Sequence, residues 1–267
     1  MFKRVCLLLI LFLTLSGCSA NSETVTVEGS TSVEQVLGFL AEGYELETNR
    51  RVNYNPTGSS AGIESVLEGR CDIGVISREL TAEESEMLVS IPFAIDTIVL
   101  VTNSDNGVSE LGSDDISAIF KGEITNWKEL GGNDLPIVPI GRESGSGTRD
   151  VFETVTDTKG ECLYQQELTS AGDVITAVSS NKNAIGYTSL EAVKGGVNVL
   201  SVDGVEPTDE NLKSGKYKLQ RRFMFVTAGN RELPSAEKAF LNFVLSQRGG
   251  YYIELAGVIT VGKDADE

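Results

Sequence analysis

The chain repeats one local pattern: a short apolar run, a turn of small residues, then a stretch with helical spacing. Thr24 to Val27 alternates as a strand. It leads through Gly29-Ser30-Thr31-Ser32 into the helical series Val33, Val36, Leu37, Leu40. Arg51 to Asn55 leads through Gly58-Ser59-Ser60-Ala61-Gly62 into Ile63, Val66, Leu67. Ile73 to Ile76 is a third strand, and Thr81 with Glu84 has the spacing of a capping box. Phe93 to Thr102 is a long apolar strand and Ser113 to Phe120 a helix. Ile137 to Ile140 runs into Gly141-Arg142-Glu143-Ser144-Gly145-Ser146-Gly147-Thr148, with a helix from about Arg149. Ala184 to Tyr187, Val197 to Val202 and Phe223 to Thr227 are further strands, and Ser235 to Leu255 reads as one long amphipathic helix. Strands alternating with helices predict an α/β fold with mainly parallel sheets.

The first residues carry an address. Lys3 and Arg4 precede an apolar run from Val5 to Leu15. The run is short of the ~20 residues a membrane span needs and suits a signal peptide. It ends in Leu15-Ser16-Gly17-Cys18, which resembles a bacterial lipobox. The expectation is a signal peptide over 1–17, lipid on Cys18 and a tether over 18–23. The alternative is an ordinary signal peptide with an incidental cysteine. Either way the mature chain is expected outside the cytoplasmic membrane. Cys71 and Cys162 remain, and their surroundings favour two free thiols.

Composition removes several functions. With 22 basic and 39 acidic residues the net charge is −17, which argues against general affinity for nucleic acid or anionic membranes. There is no histidine, so Ser-His-Asp and Cys-His catalysis and histidine metal ligation are unavailable in their usual forms. Gly58-Ser59-Ser60-Ala61-Gly62 matches a nucleophile elbow but has no histidine base. Gly145-Ser146-Gly147-Thr148 is not followed by the Lys-Ser/Thr of a P-loop. The pairs Asp114-Asp115 and Glu83-Glu84 fall in first helical turns, where carboxylates complement the helix dipole.

Three times a strand ends in glycine and hydroxyl residues where a helix begins: at Gly29-Ser30-Thr31-Ser32, Gly58-Ser59-Ser60 and Gly145-Ser146-Gly147-Thr148. A helix N-terminus exposes unpaired N–H groups and partial positive charge, and glycine admits a ligand close to the backbone. One such site is ordinary capping. Three in one chain point to a shared anion. Arg142 ends a strand beside the third loop, and Arg78 follows the third strand. In open α/β sheets ligands bind beyond the carboxyl ends of strands, and a guanidinium fork fits a tetrahedral oxyanion. The competing role for each arginine is a salt bridge, to Glu79 or Glu143.

These segments resemble the phosphate-binding lipoproteins of Pst-type ABC phosphate importers. The similarity rests on Gly29 to Val33, Gly58 to Ile63, Asp72-Ile73-Gly74 with Ser77-Arg78-Glu79-Leu80, Ile119-Phe120 through Ile124-Thr125-Asn126-Trp127, Arg142 with Gly145 to Arg149, and Ala184 to Tyr187. It implies a two-lobed periplasmic-binding-protein fold (type II), with the ligand cleft between lobes joined by two crossing strands near Asp96 to Asn103 and Arg222 to Ala228. Lobe I would hold 24–98 and 226–267, and lobe II 99–225. The implied ligand is inorganic phosphate, bound by Ser30, Thr31, Ser59, Ser77 and Arg78 from one side and Arg142, Ser146, Gly147 and Thr148 from the other. The implied partners are permease subunits and, through Cys18, the membrane. The protein is expected to be a monomer without catalysis, cofactor or metal.

One departure bears on specificity. Well-known members of the family carry an aspartate where Ser77 stands, and it accepts the proton of hydrogen phosphate. Here the acceptor must come from elsewhere, and Asp96 at a crossing strand is the candidate, with a hinge or capping role as its alternative. A carboxylate acceptor repels an unprotonated dianion, while a site of donors alone does not. Other readings are the same fold binding sulfate, molybdate or tungstate, a secreted phosphate-ester hydrolase, and a surface sensor or adhesin that uses phosphate only structurally.

Overall fold

The computed structural model describes residues 24–261. The expected signal segment 1–17, Cys18, the tether 18–23 and residues 262–267 lie outside the described residues. The first half of the chain forms β1 (Val25–Gly29), α1 (Glu34–Thr48), β2 (Val52–Pro56), α2 (Ser59–Leu67), β3 (Ile73–Ile76), α3 (Ala82–Met87) and the long β4 (Leu88–Asn103). The middle forms β5 (Glu110–Leu111), α4 (Ser113–Phe120), β6 (Val138–Arg142), α5 (Gly147–Val155), β7 (Gln166–Leu168), α6 (Ala171–Ser179), β8 (Ala184–Ser189), β9 (Val197–Val199), β10 (Ser201–Val202) and α7 (Asp209–Lys213). The chain then returns through β11 (Gln220–Ala228) to α8 (Ser235–Val244), α9 (Gln247–Leu255) and β12 (Ile259–Thr260).

Two parallel units face each other across an antiparallel centre. β2, β1 and β3 are parallel, as are β7, β6 and β8. Between them β11 runs antiparallel to β3 and β4, and β4 runs antiparallel to β8. β4 joins the two units by changing partner: Leu88 to Thr97 pair with β11, and Ile98 to Thr102 pair with β8. Each unit has its own apolar core. The first packs Val27, Leu37, Tyr44 and Phe225 against Phe240 of α8. The second packs Ile98, Phe120, Trp127 and Phe152 against Tyr187, with the Phe152 and Tyr187 rings stacked 3.9 Å apart.

The single helix expected over Ser235 to Leu255 is two helices. Ser246 caps α9, its hydroxyl accepting the Gly249 N–H at 3.2 Å. Gly249 lies so close to α8 that a Cβ there would be 2.2 Å from the Val244 carbonyl. The apolar spacing runs on across the break because Phe240, Val244 and Ile253 all enter one core. Cys71 is buried and Cys162 part-buried, both as free thiols.

An ion pair ties the crossing strands together. Arg221 stands opposite Asp96 in the β11–β4 register, beside the point where β4 changes partner. Its Nε and Nη2 both donate to Asp96 Oδ2, at 2.8 and 2.7 Å, with side chains only 1% and 2% exposed. Ser189, at the end of β8, donates to Asp96 Oδ1. Removing one member of a buried pair strands the other charge, which costs ~3–5 kcal/mol. Asp96→Ala is therefore expected to lower the unfolding free energy in urea by about that amount. A loss under ~1 kcal/mol would show that the pair does not hold the crossing.

Candidate anion-binding site

The three glycine-hydroxyl loops meet at the carboxyl ends of their strands, as the strand–loop–helix order requires. Gly29 makes the first turn possible: its φ is +146°, and a Cβ would lie 2.0 Å from the Val75 carbonyl oxygen. Ser30 caps the one-turn helix Thr31–Val33 that leads into α1, accepting the Ser32 N–H at 3.3 Å. Gly58, at φ +99°, opens α2 without a side-chain cap, so the Ser59 hydroxyl is not spent on capping. Ser146 caps α5 by accepting the Arg149 N–H at 3.4 Å.

From the first unit, Ser30, Thr31, Ser59 and Ser77 come together. Ser30 Oγ donates to Ser77 Oγ at 2.8 Å, Ser77 Oγ lies 3.3 Å from Ser59 Oγ, and the Ser77 N–H donates to Ser59 Oγ at 3.2 Å. From the second unit, Arg142, Ser146, Gly147 and Thr148 face them, and the walls touch. Arg142 Nη2 donates to Thr31 Oγ1 at 3.0 Å, and Ser32 Oγ and Thr148 Oγ1 share a hydrogen bond at 2.8 Å. Gly147 packs tightly on the other wall: a Cβ there would lie 2.6 Å from both Ser59 Oγ and Ser77 Oγ. Ser32 was not among the expected contacts, although the sequence of the first loop displays its hydroxyl.

Arg142 is 1% exposed, and burial lowers its pKa to about 10, with nearby Arg221 acting in the same direction. Its Nε donates to the Leu168 carbonyl at 3.1 Å, and Nη2 donates to the Thr169 carbonyl at 2.8 Å as well as to Thr31. Nη1 is buried and has no hydrogen-bond partner among the described residues, which is also true of Nη1 of the ion-paired Arg221. Every acceptor that Arg142 has is neutral. Arg78, Arg149 and Arg221 are each ion-paired to a carboxylate.

The Arg142 main chain is clamped from both ends. Its N–H donates to the Tyr187 hydroxyl at 3.2 Å, and its carbonyl accepts Arg149 Nη1 at 2.9 Å. Tyr187 is linked through Tyr164 to Glu153, and Glu153 also holds Arg149. The sequence displayed Tyr187 as part of a motif, but nothing in it marked Tyr164 and Glu153 as supports.

Two expected site residues stand apart from the hydroxyl cluster. Arg78 forms a two-pronged ion pair with Glu84 at 2.7 and 2.8 Å, rather than with Glu79 or Glu143 side chains, and Glu84 raises its pKa. Glu84 is also the acceptor of the capping box with Thr81. Arg78 reaches Ser60 at 3.4 Å and lines the opening of the cleft beside Gly145 and Ser146. Asp96 has both oxygens engaged by Arg221 and Ser189; burial pushes its pKa up and those partners oppose the rise. Sequence reasoning missed Arg221, whose one signal was a cation inside an apolar strand.

Comparison with known proteins agrees with this architecture. The PBP superfamily domain matches residues 16–248. The phosphate-binding protein PstS of Borreliella burgdorferi is 30% identical over 277 aligned positions, covering 97% of this chain and 99% of that protein. PstS of Bacillus subtilis is 29% identical, covering 86% and 78%. A phosphate-ABC-transporter-type substrate-binding protein from Clostridium perfringens, solved with bound phosphate, superposes with a TM-score of 0.86 at 39% identity, over 90% of this chain and 100% of that one. An ABC-type phosphate transport receptor from Vibrio cholerae gives 0.72 at 31% identity, over 88% and 99%. The two-unit α/β architecture, the converging loops and these similarities over nearly the whole length establish that the chain belongs to the PstS family of phosphate-binding proteins within the PBP superfamily.

Proposed function

We propose that this chain is an extracytoplasmic receptor that closes on inorganic phosphate and delivers it to the permease of an ABC importer. The observation that carries this reading is Arg142: a buried guanidinium that, among the described residues, has an unpartnered Nη1 and no ion-paired carboxylate, at the meeting of three hydroxyl-lined helix N-termini. Such a group requires an anionic partner, and a tetrahedral oxyanion offers enough acceptors for the surrounding donors. On this reading phosphate takes Arg142 Nη1, the hydroxyls of Ser30, Thr31, Ser59, Ser77, Ser146 and Thr148, and the Gly147 N–H at the start of α5. Arg78 serves at the cleft opening, and Asp96 holds the hinge. The lobes divide as 24–98 with 226–267, and 99–225. The protein is a monomer held at the membrane by lipid on Cys18, and it performs no catalysis.

The Ser77 hydroxyl favours a broader ligand range as a second reading. It already accepts from Ser30, and unlike a carboxylate it does not repel a fully ionised dianion such as sulfate. Three outcomes follow for titration calorimetry on the protein stripped of bound anion. Arg142→Ala weakens phosphate binding by ~2–5 kcal/mol, since truncation removes the buried charge that the anion meets; near-native affinity would remove Arg142 from the site. Gly147→Ala, by placing a methyl between the walls, weakens phosphate at least ~10-fold, equivalent to ~1.4 kcal/mol. Its failure to do so would mean that the cleft does not close through this contact. Ser77→Asp lowers sulfate affinity more than phosphate affinity, and an equal change in both would locate the discriminating group elsewhere.

A further inference from the structure

Glu191 occupies the wall of the cleft next to the anion site, and its charge is poorly matched to its surroundings. It lies in the single turn Leu190–Ala192 directly after β8. It lines a cavity of about 660 Å3 shared with Thr31 and Glu34 from the opposite wall and Lys194 from its own. Its Oε2 is enclosed and has no hydrogen-bond partner among the described residues. Asp96 on β4 and Glu34 on α1 act on it with like charge, and Arg221 on β11 with opposite charge. Arg221 spends Nε and Nη2 on Asp96, and its buried Nη1 makes no hydrogen bond to Glu191 or to any other described residue. Tyr54 on β2, whose hydroxyl donates to the Ser30 carbonyl, faces Glu34 and Glu191 and has its own pKa raised by burial.

Arg221 is thus ion-paired to the buried Asp96 and acts only at a distance on Glu191, a half-buried carboxylate with one enclosed oxygen, beside a site that must admit a further negative charge. Ionised, Glu191 opposes both closure and the incoming anion. Protonated, it opposes neither. We propose that closing the cleft over its anion takes up one proton, that Glu191 receives it, and that Glu191 is thereby an affinity-determining residue of the site. This rests on the phosphate-receptor reading above.

In the closed form burial, then Asp96 and Glu34, lift the Glu191 carboxyl from its ordinary 4.5 to about 9. Opening the cleft rehydrates it and separates it from Glu34 on the other wall, returning it toward the ordinary value. A group whose pKa is higher in the closed state favours closure at low pH and loses that contribution as pH rises between the two values. For one proton the contribution to affinity falls by up to about tenfold per pH unit within that window.

The test is calorimetric titration of the stripped protein with inorganic phosphate in buffers of different ionisation enthalpy, which counts protons exchanged per anion bound. Phosphate's own titration is common to both proteins and cancels when Glu191→Gln is compared with the wild type. The expected result is that the wild type takes up close to one proton more than the variant around neutral pH. The variant should also keep its affinity as pH rises, while the wild type weakens. Glu34→Gln, on the exposed start of α1, lowers the wild-type proton uptake and serves if Glu191→Gln fails to fold. Equal proton counts in variant and wild type, with phosphate still bound, overturn the inference alone. A folded wild type that binds no phosphate overturns the receptor reading and this inference with it.

Discussion

A guanidinium 1% exposed to solvent, offered only neutral acceptors, is the constraint on which the rest of the molecule depends. Burying a charge without a counter-charge is among the least favourable things a fold can do. The second unit is built to hold Arg142 there regardless. Tyr187 takes its N–H, Arg149 takes its carbonyl, and Tyr187 is itself fixed by stacking on Phe152 and by the hydrogen bond to Tyr164. The apolar core of that unit is in effect the mount for one cation. The direction of the side chain is thereby fixed.

The opposite wall supplies donors without charge. Hydroxyls and helix N-termini can solvate an anion in a dry cleft, and they avoid the repulsion that further buried cations would add to Arg142. The nearby Arg221 is neutralised by Asp96, so the site keeps one unmatched positive charge rather than two. The same ion pair sits where β4 passes from one sheet partner to the other, and Ser189 links it to the end of β8. Charge balance at the site and connection between the units therefore share residues. Glycine completes the arrangement at Gly147, where the two walls approach more closely than any side chain would allow.

The strand–loop–helix alternation made the fold class and the three loops legible in the sequence, because each depends on residues adjacent in the chain. Arg142, Ser59 and Ser146 could be singled out for the same reason. What the sequence left hidden depends on pairing across distance. Asp96 reads as a candidate acceptor until Arg221, far along the chain, is placed opposite it in register. Arg78 is visible at the end of the third strand, but not the fact that the capping box at Thr81 brings Glu84 onto it. The antiparallel centre of the sheet was likewise invisible, since apolar runs such as β4 and β11 do not record the direction of their neighbours. The break at Ser246 was concealed because both helices bury their apolar faces in one core.

The central claim is that the walls meet around Arg142 because an anion completes its coordination. Small-angle scattering of the soluble protein, stripped of bound anion and then supplied with phosphate, tests this most directly. The account predicts a larger radius of gyration without anion and a contraction on adding phosphate, with chloride at the same ionic strength giving none. A stripped protein already as compact as the phosphate-bound one would contradict it, since the buried guanidinium would then hold the cleft closed without a partner.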